Sequence, residues 1–228
     1  MRIFNDFANL FFPNYCVVTG FSLSPSEEYL STHIRMKLPY TNFHLDADNE
    51  LYYRFSYFEQ CYFAGAYLKY GKKGAVQKIL QHLKYKNLPG LGEAAGRWYG
   101  AKLLETEAAK QTDLIIPVPL HLKKIRKRGY NQADYIAKGM AAGMRKPYNT
   151  KLLIKPTHNE TQTNKNKFER MANVASVYSI KKPDKIVGKN IFLVDDVITT
   201  GATMMACGEI LIKNGASNVG FAALAYAG

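Results

Sequence analysis

Ile191-Phe-Leu-Val-Asp195-Asp196-Val-Ile-Thr199-Thr200-Gly201-Ala202-Thr203 is the stretch on which the reading of this chain turns. Four apolar residues in a row predict a buried strand, two carboxylates mark its end, and a Thr/Gly turn leads into a helix opening at Thr203. The chemistry of each part is specific. The first N–H groups of a helix have no intrahelical acceptor and carry the positive end of the helix dipole, so the turn Thr199, Thr200, Gly201, Ala202, Thr203 suits a phosphate. Gly201 lets the backbone come close to it. Asp195 and Asp196, at the C-terminal edge of the strand, can accept hydrogen bonds from two neighbouring hydroxyls. A ribose carrying a 5-phosphate has both groups at that spacing.

Working outward, a second strand-loop-helix unit precedes the first. Asp113-Leu-Ile-Ile-Pro117-Val-Pro119 reads as a strand, followed by His121, the basic run Lys123-Lys-Ile-Arg126-Lys-Arg128 and Gly129-Tyr130-Asn131-Gln132. Beyond it a helix turns Ala133, Ile136, Ala137, Met140 and Met144 inward, and Tyr130, Asn131 and Gln132 are expected to cap and orient that helix. Upstream, Val76, Ile79, Leu80 and Leu83 recur at helical spacing, as do Leu91, Ala95 and Trp98; these predict two amphipathic helices parted by Pro89-Gly90 and covering one sheet face. Aromatics crowd residues 51–70, where short paired strands are expected around Tyr53–Tyr57 and Cys61–Ala66. Further strands at 150–154, 191–195 and 218–225 alternate with helices. That alternation predicts an α/β fold with a parallel sheet and crossover helices, Rossmann- or flavodoxin-like. No Gly-x-Gly-x-x-Gly follows any strand, which excludes a dinucleotide site of that type.

The chain has 228 residues, 47% of them hydrophobic, enough for one full α/β core with a modest appendage. Residues 1–50 are irregular in pattern, and residues 51–228 carry the alternating units. Charge is unevenly spread: residues 1–68 hold four Lys/Arg against seven Asp/Glu, whereas residues 69–228 hold twenty-seven against eleven. The basic excess thus accompanies the phosphate-binding part and points to polyanions, either a small phosphorylated substrate or nucleic acid, unless it is a solvated surface. Three scattered cysteines, Cys16, Cys61 and Cys207, fit reduced thiols, and Cys207 falls on the apolar side of its helix. With no run of eighteen apolar residues and no charged-then-apolar leader, the expectation is a cytoplasmic protein that does not enter membranes.

At residues 191–203 the chain resembles the type I phosphoribosyltransferases, whose 5-phosphoribosyl diphosphate (PRPP) signature has this form. Carried over, Asp195 and Asp196 would hold the ribose hydroxyls and Thr199–Thr203 the 5-phosphate. Ile116-Pro-Val-Pro-Leu-His121 followed by Arg126-x-Arg128-Gly-Tyr-Asn-Gln132 narrows the resemblance to the ComF family, implicated in DNA uptake during natural transformation. It covers roughly residues 57–228. Similar to that family's Gln…Arg-x-x-Asn pattern are Gln162 and Arg170-x-x-Asn173, within a polar stretch, about 156–176, that the resemblance makes a mobile flap over the substrate.

The resemblance implies a type I phosphoribosyltransferase fold with PRPP or ribose-5-phosphate as ligand, Mg²⁺ brought with PRPP, and single-stranded DNA and competence proteins as partners to be tested. Arg126 and Arg128, brought to a strand's C-terminal edge, would face the diphosphate, because the guanidinium fork matches phosphate oxygens. The same run also reads as a solvated basic loop or a nucleic-acid patch. ComF-type chains usually begin with a four-cysteine zinc module. Here Cys16 has Thr19 where its Cys-x-x-Cys partner would stand and the second pair is missing, so no zinc is expected and residues 1–50 read as a degenerate remnant. No residue is assigned a metal-ligating or catalytic role. Thr199 stands where some purine phosphoribosyltransferases have an acid, and it cannot take a proton from a base at neutral pH. An active transferase for nucleobase salvage, an amidophosphoribosyltransferase-like enzyme and a PRPP-sensing regulator all stay open.

Overall fold

The computed structural model describes residues 14–156 and 177–228. Its centre is a parallel sheet of four strands, β1 (Cys61–Lys69), β2 (Leu114–Pro117), β5 (Asn190–Ile198) and β6 (Asn218–Tyr226), in the order β1-β6-β5-β2. Two apolar faces follow from the period of two along β5. Phe192 and Val194 point to one layer and Ile191 and Leu193 to the other, and all four are fully buried.

The first layer contains α3 (Ala75–Tyr85), α4 (Pro89–Leu103) and α7 (Gln132–Met144). Val76, Ile79, Leu80 and Leu83 of α3 and Ala133, Ile136, Ala137, Met140 and Met144 of α7 are buried as the periodicity predicts. Pro89-Gly90 does not separate two helices: Pro89 starts α4, where its missing N–H costs nothing. Trp98 is only partly buried, with the Arg35 guanidinium 4.3 Å from its ring centroid. Where α4 crosses α7 there is no room for a side chain, since a Cβ at Gly139 would stand 2.0 Å from the Glu93 carbonyl and one at Gly96 2.2 Å from that of Ile136. The second layer holds α8 (Ala202–Lys213), with Met204, Cys207 and Leu211 against Val219, Phe221 and Ala223. Cys207 is therefore a core residue, and all three cysteines are free thiols.

Three expectations need correction. Tyr53–Tyr57 is not a strand: α2 (Glu50–Arg54), whose Asn49 cap accepts from the N–H groups of Leu51 and Tyr52, ends there, and turns follow. β1 pairs with β6, 157 residues on, rather than with a sequence neighbour. Residues 150–154 do not join the parallel sheet. Only β3 (Leu153–Ile154) is extended, paired antiparallel to β4 (Ser179–Ile180), while Pro147–Asn149 takes the place beside β2 through Ile115.

The early segment is short helices and turns around α1 (Thr32–Met36), and it is tied to the domain, with Cys16, Leu30 and Leu38 in the first core layer. Residues 16–21 close a tight turn through hydrogen bonds Gly20 N to Cys16 O and Cys16 N to Phe21 O. Among the described residues no helix is long and apolar enough to cross a membrane.

Candidate functional site

The strand of the opening motif runs further than its apolar residues suggest. Asp195, Val197 and Ile198 stay in register with Ala223, Ala225 and Tyr226 of β6, so both carboxylates lie within β5 near its C-terminal end, and α8 begins at Ala202. Alternation along the strand sends the pair to opposite layers. Asp196 turns to the α3 side and receives Lys84 Nζ at 3.0 Å. Asp195 turns to the α8 side, where its Oδ1 accepts the Asp196 N–H at 2.7 Å. Burial first, and then the neighbouring Asp196 charge, push the Asp195 carboxyl well above the ordinary carboxylate range, against the pull of the Asp196 N–H and Lys84.

The phosphate turn is preformed. Gly201 is the N-cap of α8 at φ +82° and offers no side chain to cap it; the Ala202 N–H donates to Thr200 Oγ1 at 3.4 Å, and the next N–H groups of the first turn have no side-chain cap. A Cβ on Gly201 would be strained by this φ and would stand 3.0 Å from the Phe55 ring. Arg54 braces the turn from below. One guanidinium nitrogen donates to the Thr199 carbonyl at 2.5 Å and the other to the Tyr226 hydroxyl at 2.9 Å.

Between these parts lies a cleft of about 450 Å³ lined by Asp195, Asp196, Thr203, Lys84, His121, Lys124, Arg128, Asn131, Lys155 and Tyr178, among others. It opens at the carboxyl ends of β2 and β5, where open α/β sheets place ligands. The expected basic loop is in part a helix, α6 (Leu122–Arg128), capped by His121 through Nδ1 at its start and by Gly129 in the left-handed region at its end. Helix geometry then separates the two arginines: Arg128 lines the cleft, held by Gln132 Oε1, whereas Arg126 lines an adjoining groove. Asn131 caps α7 and its side-chain amide donates to the Val118 carbonyl, while Tyr130 and Gln132 donate to the Leu83 carbonyl. These three residues orient the helix as expected. The flap positions Gln162, Arg170 and Asn173 lie outside the described residues.

Three cleft residues had no signal in the sequence. Lys84 comes from the polar side of α3, and Lys155 and Tyr178 flank residues 157–176 on either side, with the Lys155 ammonium 4.9 Å from the Tyr178 ring centroid. Burial, with Cys207 and Asp195 nearby, pushes the Tyr178 phenol up to about 12, so it presents a neutral hydroxyl to the cleft. The whole arrangement can seat a polyol on the carboxylates, one phosphate at the first turn of α8 and further phosphate against four cations, Lys84, Lys124, Arg128 and Lys155.

The phosphoribosyl transferase domain matches residues 126–228. The DNA utilization protein YhgH of Escherichia coli O157:H7 is 26% identical over 147 residues, covering 62% of this chain and 63% of the relative. Competence protein ComFC of Bacillus subtilis (strain 168) is 32% identical over 102 residues, 45% of this chain and 39% of that protein. The chain thus spans less than two thirds of the length of these curated relatives. Among solved structures, the allosteric regulatory enzyme of purine biosynthesis is similar over 63% of this chain and 29% of its own, at 20% identity and a TM-score of 0.45. The chain thus has a parallel-sheet type I phosphoribosyltransferase fold and is similar to competence and DNA-utilization proteins of the ComF type.

Proposed function

We propose that the cleft binds PRPP or ribose-5-phosphate, and that the protein serves DNA uptake in the manner that the names of its relatives suggest. One observation carries the reading: the acid pair of β5 and Thr203, in the first turn of α8, line a single cleft whose remaining charged side chains are cations. Asp195 and Asp196 take the ribose 2- and 3-hydroxyls, residues Thr199–Thr203 the 5-phosphate, and Arg128 with Lys124, Lys84 and Lys155 the diphosphate. The carboxylate oxygens of Asp195 and Asp196 would suit Mg²⁺ brought with the diphosphate, a hard cation that would offset the diphosphate's negative charge.

If the C1–diphosphate bond breaks here, positive charge develops on the ribose ring between two carboxylates, and the negative charge of the departing diphosphate meets the cations opposite. That is catalysis by placement of charge. Tyr178 remains protonated and Thr199 has no basic form, so neither takes a proton from an acceptor at neutral pH.

Titration calorimetry of PRPP with Mg²⁺ tests the proposal. Heat is expected with the wild-type chain and its loss in the Asp195→Asn/Asp196→Asn double variant; no heat, or equal binding by the variant, rejects it. Release of diphosphate on adding nucleobases or ammonia separates an active transferase from a PRPP-sensing regulator.

A further inference from the structure

Beside β1, the strand at the other edge of the sheet from β2, is a pocket of about 400 Å³ lined by Arg35, Met36, Tyr40, His44, Tyr67 and Lys102, among others. It shares no lining residue with the cleft. Four pieces of chain build it: α1, the Pro39–Thr41 segment hydrogen-bonded along β1, the single 3₁₀ turn Phe43–Leu45 and the last turn of α4. Arg35, His44 and Lys102 come to it from three of these, no carboxylate lines it, and neither Arg35 nor Lys102 forms an ion pair among the described residues. The dipole of α4 accounts for Lys102, but not for two further basic groups from other elements meeting it. General basicity does not account for them either, since residues 1–68 hold only four Lys/Arg against seven Asp/Glu. The crowding is felt at His44, where partial burial first, and then the Lys102 charge, hold the imidazole pKa below its ordinary value. Arg35 is held in place, its guanidinium 4.3 Å from the Trp98 ring centroid. The rest of the wall is apolar: the Tyr40 and Tyr67 rings meet at 5.0 Å and 56°, Tyr67 stacks on the buried Tyr99, and Met36 is 79% exposed. A solvated basic surface needs no such wall, and an inorganic anion gains nothing from it.

We propose that this pocket binds a small aryl phosphate monoester, its phosphate held by Arg35, Lys102 and His44 and its flat apolar body laid on Tyr40 and Tyr67. The volume is that of a small-molecule site. A phosphate monoester carries close to two negative charges at neutral pH, which calls for several basic groups where a carboxylate calls for one. The bound dianion also favours the imidazolium, so His44 takes up a proton on binding. The charged and titratable groups around it are Lys102, Arg35, the neutral hydroxyls of Tyr40 and Tyr67, and Asp46, whose carboxylate already accepts the Asp48 N–H. The assignment does not rest on the ribose-phosphate reading of the cleft.

Proton NMR of the five histidines provides the test, because His44 marks the pocket and His121 the cleft, each assigned by its Gln substitution. Phenyl phosphate is expected to shift the His44 resonances in a saturable titration and to raise the His44 pKa at saturation. Inorganic phosphate, which leaves the aromatic wall bare, should bind about 5- to 50-fold more weakly. Benzoate keeps the ring with a single charge and should also bind several-fold more weakly. Arg35→Gln and Lys102→Gln are each expected to weaken phenyl phosphate about 5- to 20-fold, and Lys102→Gln to raise the His44 pKa in the empty protein. Both side chains are exposed, so these variants should melt close to wild type, and Lys102→Arg, which keeps the charge, should retain binding. No movement of His44, movement of His121 alone, or full affinity in both Gln variants overturns the site. Benzoate or inorganic phosphate binding as tightly as phenyl phosphate overturns the aryl phosphate assignment. If ribose-5-phosphate leaves His121 unmoved while phenyl phosphate moves His44, the cleft reading fails and the pocket stands.

Discussion

Arg54 lies far in sequence from the phosphate turn, and the structure makes it the brace of that turn. Replacing it with alanine removes the donor to the Thr199 carbonyl and the donor to the Tyr226 hydroxyl, together with a guanidinium 5.2 Å from the Tyr226 ring centroid. Charged hydrogen bonds contribute up to about 3 kcal/mol each when buried. Arg54 is exposed, so solvent competes and roughly 1 kcal/mol for each bond is a fair figure. The turn has other supports, the Ala227 N–H to the Ile198 carbonyl and the Phe55 ring under Gly201, so it stays folded but samples more conformations. The loss should appear in ligand affinity: about 1–2 kcal/mol, or 5- to 30-fold weaker ribose-5-phosphate binding, with a melting temperature lowered by only a few degrees. Arg54→Lys is the informative control. It keeps the charge yet has one nitrogen for two acceptors, and should recover less than half of the loss. Calorimetry with ribose-5-phosphate measures both variants. Wild-type affinity in Arg54→Ala would show that the turn needs no brace, and full recovery in Arg54→Lys would show that charge alone, not the fork, matters.

Asp195 should make binding depend on pH. Its folded-state pKa is raised, so in the empty protein it holds a proton to higher pH than an ordinary carboxylate, and hydroxyl donors of the ligand favour its ionised form. Affinity for ribose-5-phosphate is expected to rise with pH above the second ionisation of the phosphate, with proton release visible across buffers of different ionisation enthalpy; a flat profile argues against Asp195 as a ribose ligand. The linkage sign for stability follows from the same shift. The folded state binds more protons than the unfolded one between the ordinary Asp value and the raised one, so stability is full below that window and is lost as pH rises through it. Asp195→Asn should therefore melt higher than wild type at pH 8 and not at pH 3, and a lower melting point at pH 8 would contradict this. Gly139→Ala, which would gain about 1 kcal/mol in an isolated helix, should instead destabilise by roughly 3 kcal/mol and lower the melting temperature by about 6–12 °C, because its Cβ meets the Glu93 carbonyl of α4. Tyr99→Phe should stabilise by about 1 kcal/mol, since the buried Tyr99 hydroxyl has no hydrogen-bond partner among the described residues; a lower melting point would mean that the hydroxyl is satisfied.

The parts legible in the sequence are those whose cause is local. The apolar run at residues 191–194, the inward positions of α7 and the capping role of Asn131 depend on periodicity and on hydrogen bonds made within a few residues. Local signals misled where a distant partner decided the outcome. Tyr53–Tyr57 has strand-forming residues, but Asn49 caps a helix there, and the Asn49 side chain is itself positioned by the Ala64 carbonyl of β1. At residues 150–154 the apolar residues are real strand formers, yet the place beside β2 is taken by Pro147–Asn149 as the chain leaves α7. The same distinction holds in the site. Asp195, Asp196 and the turn are contiguous and could be read as one unit. Lys84, Arg54 and Tyr178 arrive from separate elements as ordinary polar or aromatic positions, and only the packing of those elements makes Lys84 and Tyr178 part of the cleft and Arg54 the brace of its turn.

The position of Lys84 also explains how two adjacent carboxylates can face a cleft meant for anions. A 5-phosphate brings about two negative charges, and an unpaired Asp-Asp beside it would oppose binding. Strand alternation keeps that repulsion small by sending the acids to opposite layers, one beside a lysine 3.0 Å away and the other disposed by burial to hold its proton until a ligand arrives. For ribose-5-phosphate this local balance and the helix terminus suffice. A diphosphate at C1 brings further charge that the helix terminus cannot reach, and it must draw on Lys124, Arg128, Lys155 and the Lys84 already engaged with Asp196. Competition for Lys84 is then built into the site, and a divalent cation riding on the diphosphate relieves it. On the proposed reading the cations around the acid pair, rather than the acid pair itself, distinguish PRPP from ribose-5-phosphate, so PRPP binding should weaken with rising salt and with removal of Mg²⁺, while binding of the monophosphate changes less.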